Sequence, residues 1–339
     1  MYTITQRVKI LPLALILKTL GYIDILGATF EYMFTGLLSA SVIMVAVLIV
    51  RPTLQVQSTY LSYGITYYLY GSQSVMPQNS NVLGATKKRE YPFMFKELAT
   101  PEISAKAALV ADVKTGKILF SHNMEEELAP ASTTKLMTAL VALDLFDKEE
   151  ILEVPGLCTT VEGSKAGFKE GSETKVENIL RALLVGSAGD AACVLATAKT
   201  SITEFVDLMN EKAQALSMEH TAFTNPIGLD GIDGSHHSTA YDLYQLSKFA
   251  MENEFIRGAV LTKELELEPG TIYNTNKLLW EIPNTVGVKT GTTVAAGEVL
   301  IYEYKDEIKD VVIIVMGSAD RFTDTRNLLN WTFSTFLWE

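Results

Sequence analysis

The chain has 339 residues, a net charge of −12 and 48% hydrophobic residues, with a mean hydropathy of +0.18. That apolar content excludes intrinsic disorder, two cysteines exclude a disulfide-framed scaffold, and the acidic balance argues against nucleic acid as a partner, because phosphate contacts need a basic face. A positive hydropathy beside so much acidic charge points to segregation, with an apolar segment joined to an acidic domain.

Residues 1–50 carry a net +1 and residues 51–96 a net +4, which leaves −17 for residues 97–339. Within residues 1–31, the stretch 10–30 is apolar but interrupted by Lys18 and Asp24. Each of these costs a few kcal/mol near a bilayer centre, so the stretch reads as cytoplasmic or interfacial, with a second span left open. Residues 32–50, Tyr32 to Val50, hold no charge over nineteen positions. As a helix they span about 28 Å, close to the ~30 Å hydrocarbon core, and read as a transmembrane signal anchor; the alternative is a buried core helix. Basic residues before the span orient the N-terminus to the cytoplasm, and no small-x-small cleavage site follows it. The expected protein is therefore single-pass in the cell membrane, with an extracytoplasmic domain. Residues 51–96 are rich in Gln, Ser, Thr, Tyr and Asn without clear periodicity and read as a spacer.

The domain at 97–339 opens with a strand over 107–112, the turn Lys114-Thr115-Gly116-Lys117 and a return strand over 118–121. Helical periodicity follows over 132–146, 176–184, 190–198 and 202–216. Apolar strands over 298–304 and 310–316 flank a charged turn, and a helix is expected over 323–337. Strands at both ends with helices between them predict an α+β fold: an antiparallel sheet flanked by helices, with a helical insert. There is no internal repeat and no phosphate loop.

Three short patterns bear on chemistry. In Ser132-Thr133-Thr134-Lys135, residues three apart share a helix face, which sets a hydroxyl beside an amine. A lysine of depressed pKa can take the proton of such a serine; an N-capping serine before a surface lysine would look the same. Ser172-Glu173-Thr174-Lys175 also fits, but its polar setting reads as a turn or cap. Lys-Thr-Gly occurs at 114–116, in the first hairpin turn, and at 289–291 on an apolar strand, where Lys and Thr could grip a carboxylate. Ser187-Ala188-Gly189-Asp190 lies between two helices, where a C-capping glycine followed by an N-capping aspartate is the plain alternative.

In this order the three patterns resemble the active-site serine DD-peptidase and β-lactamase superfamily, whose signature is S-x-x-K, S-x-N, K-T-G. The stretches 130–140, 223–230, 238–243 and 287–291 resemble more closely the low-molecular-mass penicillin-binding proteins that act as D-alanyl-D-alanine carboxypeptidases. The resemblance covers roughly residues 100–339 and implies a DD-peptidase fold without the additional C-terminal β-domain many members carry. It implies Ser132 as nucleophile, Lys135 as its base and Ser187 as a proton relay. Lys289, Thr290, Gly291 and Thr292 would bind the substrate's carboxylate end, Lys289 would also lower the pKa of Lys135, and Arg326 would be the late carboxylate-binding arginine. The N–H groups of Ser132 and Thr292 would form the oxyanion hole.

Implied partners are the peptidoglycan stem peptide, with β-lactams as covalent inhibitors. No cofactor is implied, and no His or Cys spacing of a zinc site exists. The third residue of the middle motif departs from the family: Gly189 stands where the family has an Asn that touches the substrate's peptide group and orients the first-motif Lys. A DD-endopeptidase, a β-lactamase and a non-catalytic cell-wall sensor remain as alternatives. His236-His237 reads as a solvated loop. Cys158 and Cys193 could pair, although an apolar helix face favours a core position for Cys193.

Overall fold

The computed structural model describes residues 91–268 and 270–339. The expected segments 1–31 and 32–50, and the spacer as far as residue 90, lie outside the described residues. Among the described residues no helix is long and apolar enough to cross a membrane.

In chain order, β1 (Phe93–Met94) precedes the hairpin of β2 (Ala107–Asp112) and β3 (Ile118–His122). Next come α1 (Lys135–Leu145), β4 (Ile151–Glu153), the single turn α2 (Gly156–Thr159) and β5 (Glu173–Lys175). The helical insert continues with α3 (Val176–Val185), α4 (Gly189–Thr197), α5 (Ile202–Ala215), α6 (Ala240–Ala250) and α7 (Glu254–Leu261). A hairpin of β6 (Glu264–Leu267) and β7 (Gly270–Tyr273) and the short α8 (Leu278–Glu281) lead back to β8 (Thr285–Thr293), β9 (Gly297–Lys305) and β10 (Asp310–Ser318). α9 (Arg321–Thr335) and β11 (Phe336–Leu337) complete the order.

The first and last strands form one five-stranded sheet in the order β3-β2-β10-β9-β8, antiparallel at every pairing. Successive side chains of a strand point to opposite faces. Leu109, Ile301, Val312 and Ile314 pack on the helical insert, while Val110, Leu300, Tyr302 and Ile313 pack on Leu328 and Leu329 of α9. A strand covered on both faces reads as an unbroken apolar run, which is why β2 and β10 were visible in the sequence. The α1 helix is buried from Lys135 through Ala142. A helix enclosed on all sides is apolar all round, so the one lysine at its start is conspicuous.

Several expectations are refined. The helix α9 starts at Arg321, two residues before the expected Thr323, because the Asp320 carboxylate accepts from the N–H groups of Phe322 and Thr323. Residues 93–94, expected in the spacer, join the folded domain by pairing with β11. Cys158 and Cys193 form a disulfide with a Cα–Cα distance of 5.4 Å, so Cys193 is in the core, as expected, but as half of a cystine. The Lys-Thr-Gly at 114–116 is a structural turn: the Asp112 carboxylate accepts from Thr115 N (2.9 Å), Thr115 Oγ1 (2.6 Å) and Trp338 Nε1 (2.8 Å).

Candidate active site

Ser132 lies in a 3₁₀ turn, Ala131–Thr134, that runs into α1. The preceding Ala131 has φ +49°, a region that a β-carbon disfavours. Two glycines let main chain crowd this turn. A β-carbon at Gly228 would lie 2.1 Å from Ala131 O, and one at Gly291 would lie 2.8 Å from Ser132 N. The loop and the strand β8 are thereby pressed against the serine from two sides.

Lys135 is 1% exposed, and its Nζ donates to Ser132 Oγ at 2.9 Å and to Ile227 O at 2.5 Å. Burial disfavours its charged form and lowers its pKa to about 7, against a smaller opposing pull from Asp190. The expectation that Lys289 lowers it is replaced by burial as the cause. The Ile227 carbonyl is held in place because Asn225 Oδ1 accepts from three successive N–H groups, those of Ile227, Gly228 and Leu229. Thr138 Oγ1 donates to Pro226 O at 2.6 Å, which ties the same loop to α1.

Ser187 occupies the junction of α3 and α4 with φ +58°, a second non-glycine residue in the left-handed region. Its Oγ accepts from Lys289 Nζ at 2.7 Å, and the same Nζ donates to Thr290 O at 2.9 Å. Lys289 is 1% exposed. Burial first, then the charges of Lys135 and Arg321, hold its pKa well below the ordinary lysine value. Thr290 Oγ1 shares a 2.6 Å hydrogen bond with Thr275 Oγ1. All three motifs, spread over residues 132–291, therefore meet at the end of β8.

The structure places Arg326 elsewhere. It pairs with Glu281 in a half-exposed ion pair. The arginine that reaches β8 is Arg321, whose Nη1 donates to Gly291 O at 2.7 Å and to Thr292 Oγ1 at 2.5 Å. Its buried Nε donates to no hydrogen-bond partner among the described residues and lies 3.9 Å from Glu298 Oε2. The signal for it was local: an N-capping Asp320 directly before it starts the helix at 321 and turns that residue back toward the sheet.

His236, expected in a solvated loop, is 1% exposed. Its Nδ1 accepts from Thr224 N at 2.9 Å, so the proton sits on Nε2, which donates to Thr134 Oγ1 at 2.9 Å. It therefore braces the turn that carries Ser132 and Lys135. Burial lowers its pKa to about 4. Asp190 is neither exposed nor a simple cap. Its carboxylate accepts from the N–H groups of Ala166 (2.9 Å), Gly167 (2.8 Å), Phe168 (3.4 Å) and Ala191 (3.0 Å). Gly189 is the first residue of α4, and Gly186, not Gly189, ends α3. Among the described residues no group of three or more His, Cys, Asp or Glu side chains is placed to hold a metal ion.

The family model described as D-alanyl-D-alanine carboxypeptidase matches residues 94–320. The chain belongs to that family of serine peptidases. It is 32% identical over 246 residues to the D-alanyl-D-alanine carboxypeptidase DacF of Bacillus subtilis, covering 68% of this chain and 63% of DacF. It is 35% identical over 256 residues to DacD of Escherichia coli, covering 70% of this chain and 65% of DacD. The chain thus spans a little under two thirds of the length of these two relatives. A D-alanyl-D-alanine endopeptidase of Escherichia coli is also similar, at 32% identity over 68% of this chain and 78% of its own length. Among solved structures, the D-alanyl-D-alanine carboxypeptidase of Mycobacterium tuberculosis aligns with a TM-score of 0.67 and 30% identity, over 71% of this chain and 95% of that one. The mixed α+β DD-peptidase fold, an antiparallel sheet flanked by helices, is shared with it.

The His236 brace generates a stability prediction. An imidazole with a folded pKa near 4 and an unfolded one near 6.5 binds its proton more readily in the unfolded chain. Its contribution is fully present above pH 6.5 and is lost as pH falls through 4. The unfolding free energy should drop by about 3 kcal/mol across that window from this group alone. Urea titrations at pH 7 and pH 4 should show a smaller difference for His236→Gln than for the wild type.

Proposed function

We propose that this protein is a serine D-Ala-D-Ala carboxypeptidase that trims the terminal D-Ala from peptidoglycan stem peptides. The observation that carries the reading is Ser132 Oγ at 2.9 Å from the amine of a buried lysine whose pKa is about 7. Such an amine is neutral often enough at physiological pH to accept the hydroxyl proton as Ser132 attacks the penultimate carbonyl. A Ser132–substrate ester forms, the C–N bond breaks, and the leaving D-Ala nitrogen takes a proton through Ser187. Water then hydrolyses the ester and regenerates Ser132. The N–H groups of Ser132 and Thr292 are the donors assigned to the oxyanion.

Lys289, Thr290, Thr292 and Arg321 supply amine, hydroxyl and guanidinium donors at one end of β8. This cluster suits a free carboxylate and supports a carboxypeptidase over an endopeptidase. β-Lactams, which combine a reactive amide carbonyl with a carboxylate, are the corresponding covalent inhibitors. The same reading anchors the domain outside the cell membrane through residues 32–50, on the support of their uncharged sequence and the basic residues before them. Protease added outside intact cells should remove a tag placed after Arg51; protection of that tag contradicts the orientation.

Two measurements test the chemistry. Fluorescent penicillin should label the wild type and leave Ser132→Ala unlabelled. The acylation rate should rise with pH through about 7 and level off above it, as Lys135 loses its proton. Lys135→Ala should slow acylation by about 10²–10⁴-fold. For release of D-Ala from a pentapeptide, Arg321→Ala should raise KM and lower kcat/KM by roughly 10- to 150-fold, the worth of a charge-assisted hydrogen bond. Arg326→Ala should leave both within about twofold, since its partner Glu281 is a surface group.

A further inference from the structure

The loop that joins β7 to α8 contains Asn274-Thr275-Asn276. Both asparagines are buried and bond neighbouring main chain. Asn274 Nδ2 donates to Val260 O (3.1 Å) and Thr262 O (2.9 Å) at the end of α7. Asn276 Nδ2 donates to Gly287 O of β8 (3.0 Å), and its Oδ1 accepts from Leu278 N (3.1 Å). Asn274 Oδ1 accepts from Asn276 N at 2.9 Å. The residue between them is thereby fixed where two of the three motifs meet. Thr275 N donates to Val185 O at 3.3 Å, at the end of α3 and two residues before Ser187. Thr275 Oγ1 lies 2.6 Å from Thr290 Oγ1.

A hydroxyl has one proton to donate and two lone pairs with which to accept, and an ionised carboxylate only accepts. With the substrate's carboxylate on Thr290, the single proton of Thr290 points to the anion. The 2.6 Å bond then survives only with Thr275 as its donor. We propose that Thr275 is a positioning residue for the substrate's carboxylate end: its hydroxyl donates to Thr290 Oγ1, turns the Thr290 proton toward the anion and so selects a free carboxylate over a neutral chain end. A hydroxyl that accepts a hydrogen bond becomes a stronger donor in turn, so the chain of two hydroxyls strengthens toward the anion. A carboxamide end can present its own N–H group to Thr290 and gains less from that orientation. Lys289 Nζ, which donates to Thr290 O (2.9 Å) and Ser187 Oγ (2.7 Å), fixes the same strand from its other side. The inference rests on the carboxypeptidase reading and adds a residue that sets its demand for a free carboxylate.

The experiment combines a mutant cycle with a pair of substrates. Fluorescent penicillin labelling of the wild type, absent in Ser132→Ala, reports the underlying reading; a wild type that stays unlabelled overturns that reading and the inference with it. With labelling present, kcat/KM is measured for release of D-Ala from a pentapeptide and of D-alaninamide from its C-terminally amidated analogue. Wild type, Thr275→Val, Thr290→Val and the double variant are compared; valine keeps the shape and removes the hydroxyl. Thr275→Val should lower kcat/KM for the free acid by about 3- to 10-fold, the worth of one neutral hydrogen bond. The loss should fall on KM, with kcat within about twofold, as for an interaction made already on binding. The amide should lose less than the acid, so the acid-over-amide preference shrinks. The double variant should lose no more than Thr290→Val alone, because Thr275 acts through Thr290. Thr275→Ser, which keeps the hydroxyl, should keep the preference. Should Thr275→Val not fold, Thr275→Ala takes its place in the cycle. Equal use of acid and amide by the wild type, an unchanged preference in Thr275→Val, equal losses on the two substrates, or losses that add in the double variant overturns the inference and leaves the acyl-enzyme reading standing.

Discussion

The structure turns on one amine placed where an ammonium ion is poorly tolerated. Lys135 begins a helix buried on every side and is itself 1% exposed. A buried lysine sheds its proton more readily than an exposed one because the apolar surroundings penalise only the charged form. That penalty makes the lysine useful as a base, and the rest of the fold maintains it. The helices α3, α4, α5 and α6 pack around α1, and β8 and β9 border the turn that leads into it. Polar contact is limited to Ser132 Oγ and the Ile227 carbonyl, so the amine is oriented without being held charged by a neighbouring carboxylate. Asp190 pulls the other way but less than burial does, and its oxygens accept from N–H groups of the loop.

The second half of the site is built by topology. β8 is the edge strand of a sheet formed by the two ends of the domain, and it brings Lys289, Thr290 and Thr292 beside a serine more than 150 residues earlier in the chain. The glycines at 228 and 291 permit the approach, since a β-carbon at either would collide with residues 130–132. Residues 97–339 carry a net −17, yet the end of β8 gathers the guanidinium of Arg321 and the amine of Lys289. A local cation and N–H donors favour an anionic terminus at this one place, while the acidic surroundings repel it elsewhere. The strained φ values of Ala131 and Ser187 fall on two of the hydroxyl-bearing segments that the chemistry needs.

Much of this was legible in the sequence where a pattern is local. Continuous apolar runs marked β2 and β10, helical periodicity marked α1, and the spacing of Ser132 and Lys135 on one face predicted their contact. What escaped depends on partners distant in the chain. The family resemblance pointed to Arg326, whereas the arginine whose guanidinium meets β8 is Arg321, five residues earlier on the same helix, where the Asp320 cap starts it. His236 stands in a polar stretch, and its burial follows from Thr224 and from Thr134, 102 residues away. Asp190 has the look of a helix cap, yet its acceptors serve a loop more than 20 residues upstream. Gly189 read as a lost side chain because nothing in its neighbourhood reveals that the carbonyls of 162 and 164 lie 3.3 Å from where its β-carbon would be.

The account depends most on Lys135 being neutral near physiological pH in the resting protein. NMR titration of lysine side chains labelled with ¹³C at Cε, with Lys135→Arg to assign the signal, observes that directly. A Lys135 resonance titrating near pH 7, shifted toward the ordinary lysine value when Ile227 and its loop are opened by Gly228→Ala, is the predicted result. A Lys135 that stays protonated to pH 10 would contradict the account.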